Sequence, residues 1–214
     1  MRIAYDTRHN SISQTLRYIE EEKLKNPNFK VVDIGGTNIG WSKNHIDFLV
    51  DINTTDTETS MQIDICDYVS LQKLIDYTQL NGLFDYAICS HTLEDVYNPF
   101  DLIKLLPSIA KSGIISMPSA NTELSLVENL NWFGYIHHRW IFENIDDKMM
   151  IVPKLPVVSS LIYKRFSFKK SLEEINFHWN NSIEFDIFMD NYLGPDQQTV
   201  IQEYQEFLNK VKHD

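Results

Sequence analysis

Between Lys30 and Met117, short apolar runs alternate with stretches whose apolar residues recur every three to four positions. Phe29 to Ile34 ends at glycines, as a buried strand does, and Ile46 to Ile52, Met61 to Ile65, Phe84 to Ser90 and Ile114 to Met117 read as further strands. Leu71 to Leu80 predicts a helix with Leu71, Leu74, Ile75 and Thr78 on one face, and Pro99 to Ala110 predicts another with proline in its first turn. Ser112-Gly113 reads as the turn before the fifth strand. The order is strand, short connection, strand, strand, helix, strand, helix, strand. It argues for an α/β fold, a mostly parallel sheet covered by helices on both faces.

Outside this block the pattern is sparser. Ser11 to Lys25 predicts a helix with Ile12, Leu16, Ile19 and Leu24 on one face, stopped by Asn26-Pro27-Asn28. Beyond Pro118, Asn121 to Leu130 reads as helix, Lys148 to Val152 as a strand stopped by Pro153, and Phe166 and Phe168 as part of another strand. Residues 195–212 predict a C-terminal amphipathic helix striped by Val200, Ile201, Tyr204, Leu208 and Val211. With 214 residues and no repeat or long linker, the expectation is one domain spanning 1–214, its tail packed on the sheet.

Composition narrows the function classes. A net charge of −11 argues against nucleic-acid or anionic-membrane partners, because phosphate backbones need clustered Lys and Arg. The basic cluster Lys164-Arg165 with Lys169-Lys170 is short and reads as a solvated surface. Cys66 and Cys89 lie in apolar runs without a CxxC pair, which predicts buried thiols in a reducing compartment. The start MRIAYDTRHNSISQ lacks the apolar core of a signal peptide, and no apolar run is long enough to span a bilayer. A soluble, cytoplasmic protein is expected.

In an open parallel sheet, ligands bind beyond the carboxyl ends of the strands. After the first strand comes Asp33-Ile34-Gly35-Gly36-Thr37-Asn38, whose glycines allow a sharp turn, for a ligand or simply for the loop. Neither GxGxxG nor GxxxxGK[ST] is present, so a bound pyrophosphate is not expected and a nicotinamide enzyme is disfavoured. Asp51, ending the second strand, can accept hydrogen bonds from ribose hydroxyls or open an Asx turn. Asp64 and Ile65 can bond an adenine amino group and pack on its ring, while Asp67 suits an N-cap. Ser90 to Pro99 would line the pocket mouth.

Asn131 to Glu143 holds His137, His138 and Arg139 among aromatics. Aromatics stack on sugar or base rings, Arg holds a carboxylate or phosphate, and His takes a proton. The alternative uses are an aromatic lid or a homodimer contact. No metal site is expected there. Adjacent histidines diverge on a strand, and helical metal pairs prefer i, i+4 spacing.

The stretch FDYAICSHTLEDVYNPFDLIKLLPSIAKSGIISMPS resembles the core of class I S-adenosylmethionine-dependent methyltransferases, of the small-molecule kind called methyltransferase type 11. With the runs before it, the resemblance covers Lys30 to Ser119. It implies a Rossmann-like methyltransferase fold with S-adenosyl-L-methionine as cofactor. Asp33 and Gly35 match the methionine-binding loop, which Gly36 extends. Asp51 matches the ribose acid, Asp64 and Ile65 the adenine pair, and Ser90 and His91 the edge of the methionine and sulfonium pocket. Residues 120–165 would be the substrate-specificity insertion. In it, His137 or His138 is the candidate base, and Arg139 orients a small polar acceptor. A sugar or nucleotide-sugar methylated on oxygen or nitrogen is the expected class. The departures are Thr37 and Ile39 in place of later glycines, Asp95 where His is common, and a shortened first helix. If Thr37-Asn38-Ile39 fill the methionine pocket, the alternative is a catalytically inactive methyltransferase-fold binding or partner protein. Glu94 and Asp95 are the acids available to a magnesium-dependent variant.

Overall fold

The computed structural model describes residues 1–128, 130–161, 166–188 and 197–211. Lys164, Arg165 and the outer ends of the expected 195–212 helix lie outside these. The chain folds as β1 (Arg2–Asp6), α1 (Arg8–Lys25), β2 (Val31–Ile34), β3 (Phe48–Asp51), β4 (Ser60–Gln62), α2 (Tyr68–Asn81), β5 (Phe84–Ser90), α3 (Phe100–Leu105) and β6 (Ala110–Pro118). Then come α4 (Ala120–Glu123), β7 (Trp140–Ile145), β8 (Lys148–Pro153), α5 (Val157–Leu161), β9 (Glu174–Asn180), β10 (Phe185–Ile187) and α6 (Gln197–Lys210).

Seven strands form a mixed, mostly parallel sheet in the order β1-β9-β6-β5-β2-β3-β4. From β2 the chain moves outward through β3 to β4, then returns to lay β5 on the other side of β2. That reversal is a topological switch point, where the loops leaving β2 and β5 diverge and open a crevice. β9 runs antiparallel to both of its neighbours, β6 and β1. Residues 35–47 cross from β2 to β3 as turns without a helix, close to the minimum length for a parallel crossover.

Strand alternation divides the core. Val32, Ile34, Val50, Ala87, Cys89, Ile115 and Phe177 pack with Leu71, Leu74 and Ile75 of α2 and with Leu102 and Ile103 of α3. Their neighbours Val31, Tyr86, Ile88 and Ile114 pack instead with Ile19 of α1. The predicted α1 stripe is displaced. Ser11, Thr15 and Ile19 are buried, whereas Leu24 is 85% exposed. The cause is the partner surface, since Asn176 on β9 donates to Ser11 Oγ at 2.8 Å and so favours a polar helix face.

Other departures have local causes. Pro107 removes an amide from the helical ladder, so α3 ends at Leu105 and a 3₁₀ turn follows. Gly113 lies within β6 rather than in a turn, where a Cβ would come 2.4 Å from the Ala87 carbonyl and 2.8 Å from the Trp179 ring. The helix expected from Asn121 spans only Ala120–Glu123. Phe166 and Phe168 are not in a strand. Cys89 is buried but Cys66 is only half-buried, and both are free thiols.

A second sheet, in the order β10-β8-β7, sends side chains into two apolar clusters. Phe142, Met149 and Ile151 join the main core, while Ile141 and Val152 pack with Tyr204, Phe207 and Leu208 of α6. The C-terminal helix thus seats on this smaller sheet. Among the described residues no helix is long and apolar enough to cross a membrane.

Candidate functional site

The switch point brings the sequence-predicted residues to the carboxyl ends of adjacent strands. Asp33 lies in β2 and Gly35 follows it, Asp51 ends β3, and Ser90 ends β5 with His91 next. Gly35 has φ +83°, and a Cβ there would lie 2.3 Å from the Thr92 side chain. Its amide donates to the Val50 carbonyl at 2.7 Å. Glycine is therefore needed so that the loop after β2 can touch the loop after β5.

Asp33 is 4% exposed and accepts a hydrogen bond from the Ser42 hydroxyl. A Cβ on Gly36 would meet this carboxylate at 2.3 Å. Burial raises the Asp33 carboxyl to about 6, with Ser42 opposing and Asp51 adding to the shift. Asp33 thus organises the loop from beneath it. Thr37, Asn38 and Ile39 are exposed, Ile39 at 89%.

Asp51 Oδ1 accepts the Asn53 amide at 2.8 Å in an Asx turn, and Asp64 Oδ1 accepts the Cys66 amide at 2.9 Å. Asp67 caps α2 through the Val69 and Ser70 amides. Ile65 belongs to the main core, 7% exposed. A cavity of about 740 Å³ runs along Thr37, Asn38, Lys43 and Ile46 to Leu49, yet its lining includes none of Asp51, Asp64, Ser90 or His91. Ser90 lines a void of about 10 Å³ beneath α1, shared with Ser11, Thr15, Trp41 and Ser116.

His91, at φ +53°, begins a buried polar network. One ring nitrogen lies 2.5 Å from Glu174 Oε1 and the other 3.3 Å from Glu94 Oε1. Burial alone would lower the imidazole, but hydrogen bonds and charge from the two carboxylates outweigh it and raise His91 to about 9. Ser116 donates to Glu174 at 3.1 Å. Glu94 is 1% exposed, and among the described residues neither of its oxygens has a hydrogen-bond partner beyond the ion pair with His91.

The post-β5 loop is zipped to the His-rich segment. Arg139 and Trp140 amides donate to the Glu94 carbonyl at 2.6 and 3.3 Å, and the Trp140 indole donates to the Val96 carbonyl at 2.8 Å. Arg139 Nε donates to the Asp95 carbonyl at 3.1 Å, which fixes this exposed side chain beside the loop. His138 Nδ1 lies 2.7 Å from Glu123 Oε1, and Lys154 Nζ lies 2.5 Å from Glu123 Oε2. Gly134 has φ +58°, and a Cβ there would strike Glu123.

The premise that adjacent histidines must diverge fails here, because residues 135–138 form a turn rather than a strand or helix. His137 and His138 both face Asp95 Oδ1, at 3.7 and 3.5 Å, and the candidate ligand atoms of the three residues lie within 4.8 Å of one another. Burial and the neighbouring Glu94 raise the Asp95 carboxyl, against the pull of the three histidines.

Sequence reasoning missed Ser42, Glu123, Lys154 and Glu174. Only Glu174 left a signal. Apolar Ile175, Phe177 and Trp179 alternate with Glu174, Asn176 and His178, the period of a strand. No protein-family model matches the chain, and no curated protein matches its sequence.

Proposed function

We propose that the protein is an S-adenosylmethionine-dependent methyltransferase acting on a small polar acceptor, with a sugar or nucleotide-sugar as the acceptor class. The observation that carries this reading is the switch point. It sets the loop of Asp33 and Gly35, the acid Asp51 and the pair Ser90-His91 at neighbouring strand ends, in the chain order that the resemblance implies. The division of strand residues between clusters holding α2 and α3 on one hand and α1 on the other supports the two-sided covering of a Rossmann-like fold.

In this reading Asp51 holds the ribose, and Asp33 shapes the methionine loop. Methyl transfer from a sulfonium needs an aligned nucleophile above all, and orientation contributes about 7–11 kcal/mol in favourable cases. Asp95, His137, His138 and Arg139 form the acceptor side. In this reading the exposed His137 takes a proton from an acceptor hydroxyl, and Arg139, whose Nε donates to the Asp95 carbonyl, orients the acceptor.

The second reading, a methyltransferase-fold partner without chemistry, draws on two observations. Ile65 is committed to the core, and the void at Ser90 holds about one water at most. Calorimetric titration with S-adenosylmethionine and S-adenosylhomocysteine separates the two. Binding that weakens in Asp51→Ala is the expected result. Silence at millimolar ligand overturns the enzyme reading.

A further inference from the structure

We propose that Asp95, His137 and His138 form a binding site for a first-row transition-metal dication. Two imidazoles and one carboxylate are a donor set used by catalytic zinc and by non-haem iron(II), both of which keep positions open for an oxygen ligand.

The spacing suits such an ion. Metal–ligand bonds of about 2.0–2.1 Å put two tetrahedral ligands about 3.4 Å apart. The Nε2 atoms of His138 and His137 lie 3.5 and 3.7 Å from Asp95 Oδ1, so these two pairs need only a slight contraction, and all three ligand atoms lie within 4.8 Å of one another. In the present arrangement these contacts are too long for hydrogen bonds.

The surroundings point the same way. A ligating histidine characteristically gives its other ring N–H to a carboxylate, which fixes the tautomer and aims the free nitrogen at the metal. His138 has this partner, since Glu123 Oε1 lies 2.7 Å from Nδ1 and leaves Nε2 turned to Asp95. Glu123 is itself immobilised, 1% exposed and held by Lys154 at 2.5 Å. His137 and Asp95 are exposed, so the ion is reachable and keeps coordination positions open to solvent.

With an ion in place, the histidines act as ligands rather than bases, and the metal lowers the pKa of an oxygen bound in the open position. That the oxygen belongs to a methyl acceptor rests on the function proposed above. The site itself does not.

The test uses tag-free, full-length protein stripped with chelator, then titrated with zinc(II) by calorimetry and with cobalt(II) by visible absorption. One ion per chain is expected, with a cobalt spectrum of low coordination number. His137→Ala and Asp95→Asn, both at exposed positions where folding is not at risk, should each weaken binding roughly tenfold or more. Glu123→Gln should weaken it about 10–100-fold by releasing His138. His9→Ala, an exposed histidine elsewhere, should change nothing. Absence of binding, or affinity in His137→Ala and Asp95→Asn unchanged from the parent protein, overturns the site. Metal binding without S-adenosylmethionine binding sustains the site and counts against the methyl-transfer reading. S-adenosylmethionine binding without metal binding does the reverse.

Discussion

At the level of single residues, His91 links the two halves of the candidate site. It leaves β5 in a left-handed conformation and places its ring between Glu94 and Glu174, both buried. Because its pKa is raised from 6.5 to about 9, folding favours the protonated ring. The resulting stabilisation is complete below the unfolded value and disappears as pH rises through about 9. Urea denaturation across this window should show stability falling by on the order of 1–3 kcal/mol. In His91→Gln the slope over the same window should be nearly flat. A wild-type slope no steeper than the variant's would count against the protonated network. Some of the site was legible at this scale. Asp33, Gly35, Asp51 and Ser90-His91 announced themselves by following apolar runs. Apart from the strand alternation around Glu174, the partners that give them their states did not. Ser42 reaches Asp33 from nine residues on, Glu174 reaches His91 across 83, and Glu123 meets His138 only because a turn at Gly134 brings it there.

At the level of elements, the β7–β8 hairpin shows where local chemistry can be improved. Asp146 and Asp147 hold φ of +53° and +60° between Ile145 and Lys148, which are paired across the turn. Two positive φ values in a two-residue loop define a type I′ turn, where Asn-Gly is preferred because Gly carries no Cβ penalty. Both aspartates are exposed. Replacing them by Asn-Gly should therefore stabilise the protein by about 0.5–1 kcal/mol, read as a higher urea midpoint at unchanged slope. An unchanged or lower midpoint would mean the backbone is not strained there. The same scale explains which elements could be read in advance. β5 matches its expected span because Phe84, Tyr86, Ala87, Ile88 and Cys89 make an apolar run between Gly82 and the polar stretch from Ser90. β1 gave no such signal, since its five residues Arg2–Asp6 are short and mixed, and only pairing with β9 makes them a strand. The α1 stripe was misplaced for a related reason. A helix shows its apolar periodicity in sequence, but the face it buries is chosen by its partner, and here Asn176 on β9 bonds Ser11.

At the level of the whole molecule, the small sheet decides whether the chain behaves as one unit. Its strands carry two apolar faces. One enters the main core through Phe142, Met149 and Ile151, and the other receives α6 through Ile141 and Val152. Phe100 of α3 also meets Trp140 of β7 edge-on at 5.0 Å, and the Trp140 indole is bonded to the post-β5 loop. The candidate site lies along this seam, with Asp95 on one side and His137, His138 and Arg139 on the other. If the seam is cohesive, loss of packing beneath α6 must be felt in the main sheet. Phe207 is fully buried, and its truncation to alanine should cost about 3–5 kcal/mol. Far-UV circular dichroism and tryptophan fluorescence should still trace one coincident transition, moved to lower urea. Trp179 on β9 and Trp140 on β7 report from the two sheets, so Trp→Phe variants that keep either one distinguish them. Coincident midpoints for both reporters in Phe207→Ala mean that the site's two walls are held by one cooperative core. An early transition seen by Trp140 alone would separate them, and the smaller sheet would then be a module that melts away from the crevice between the loops after β2 and β5.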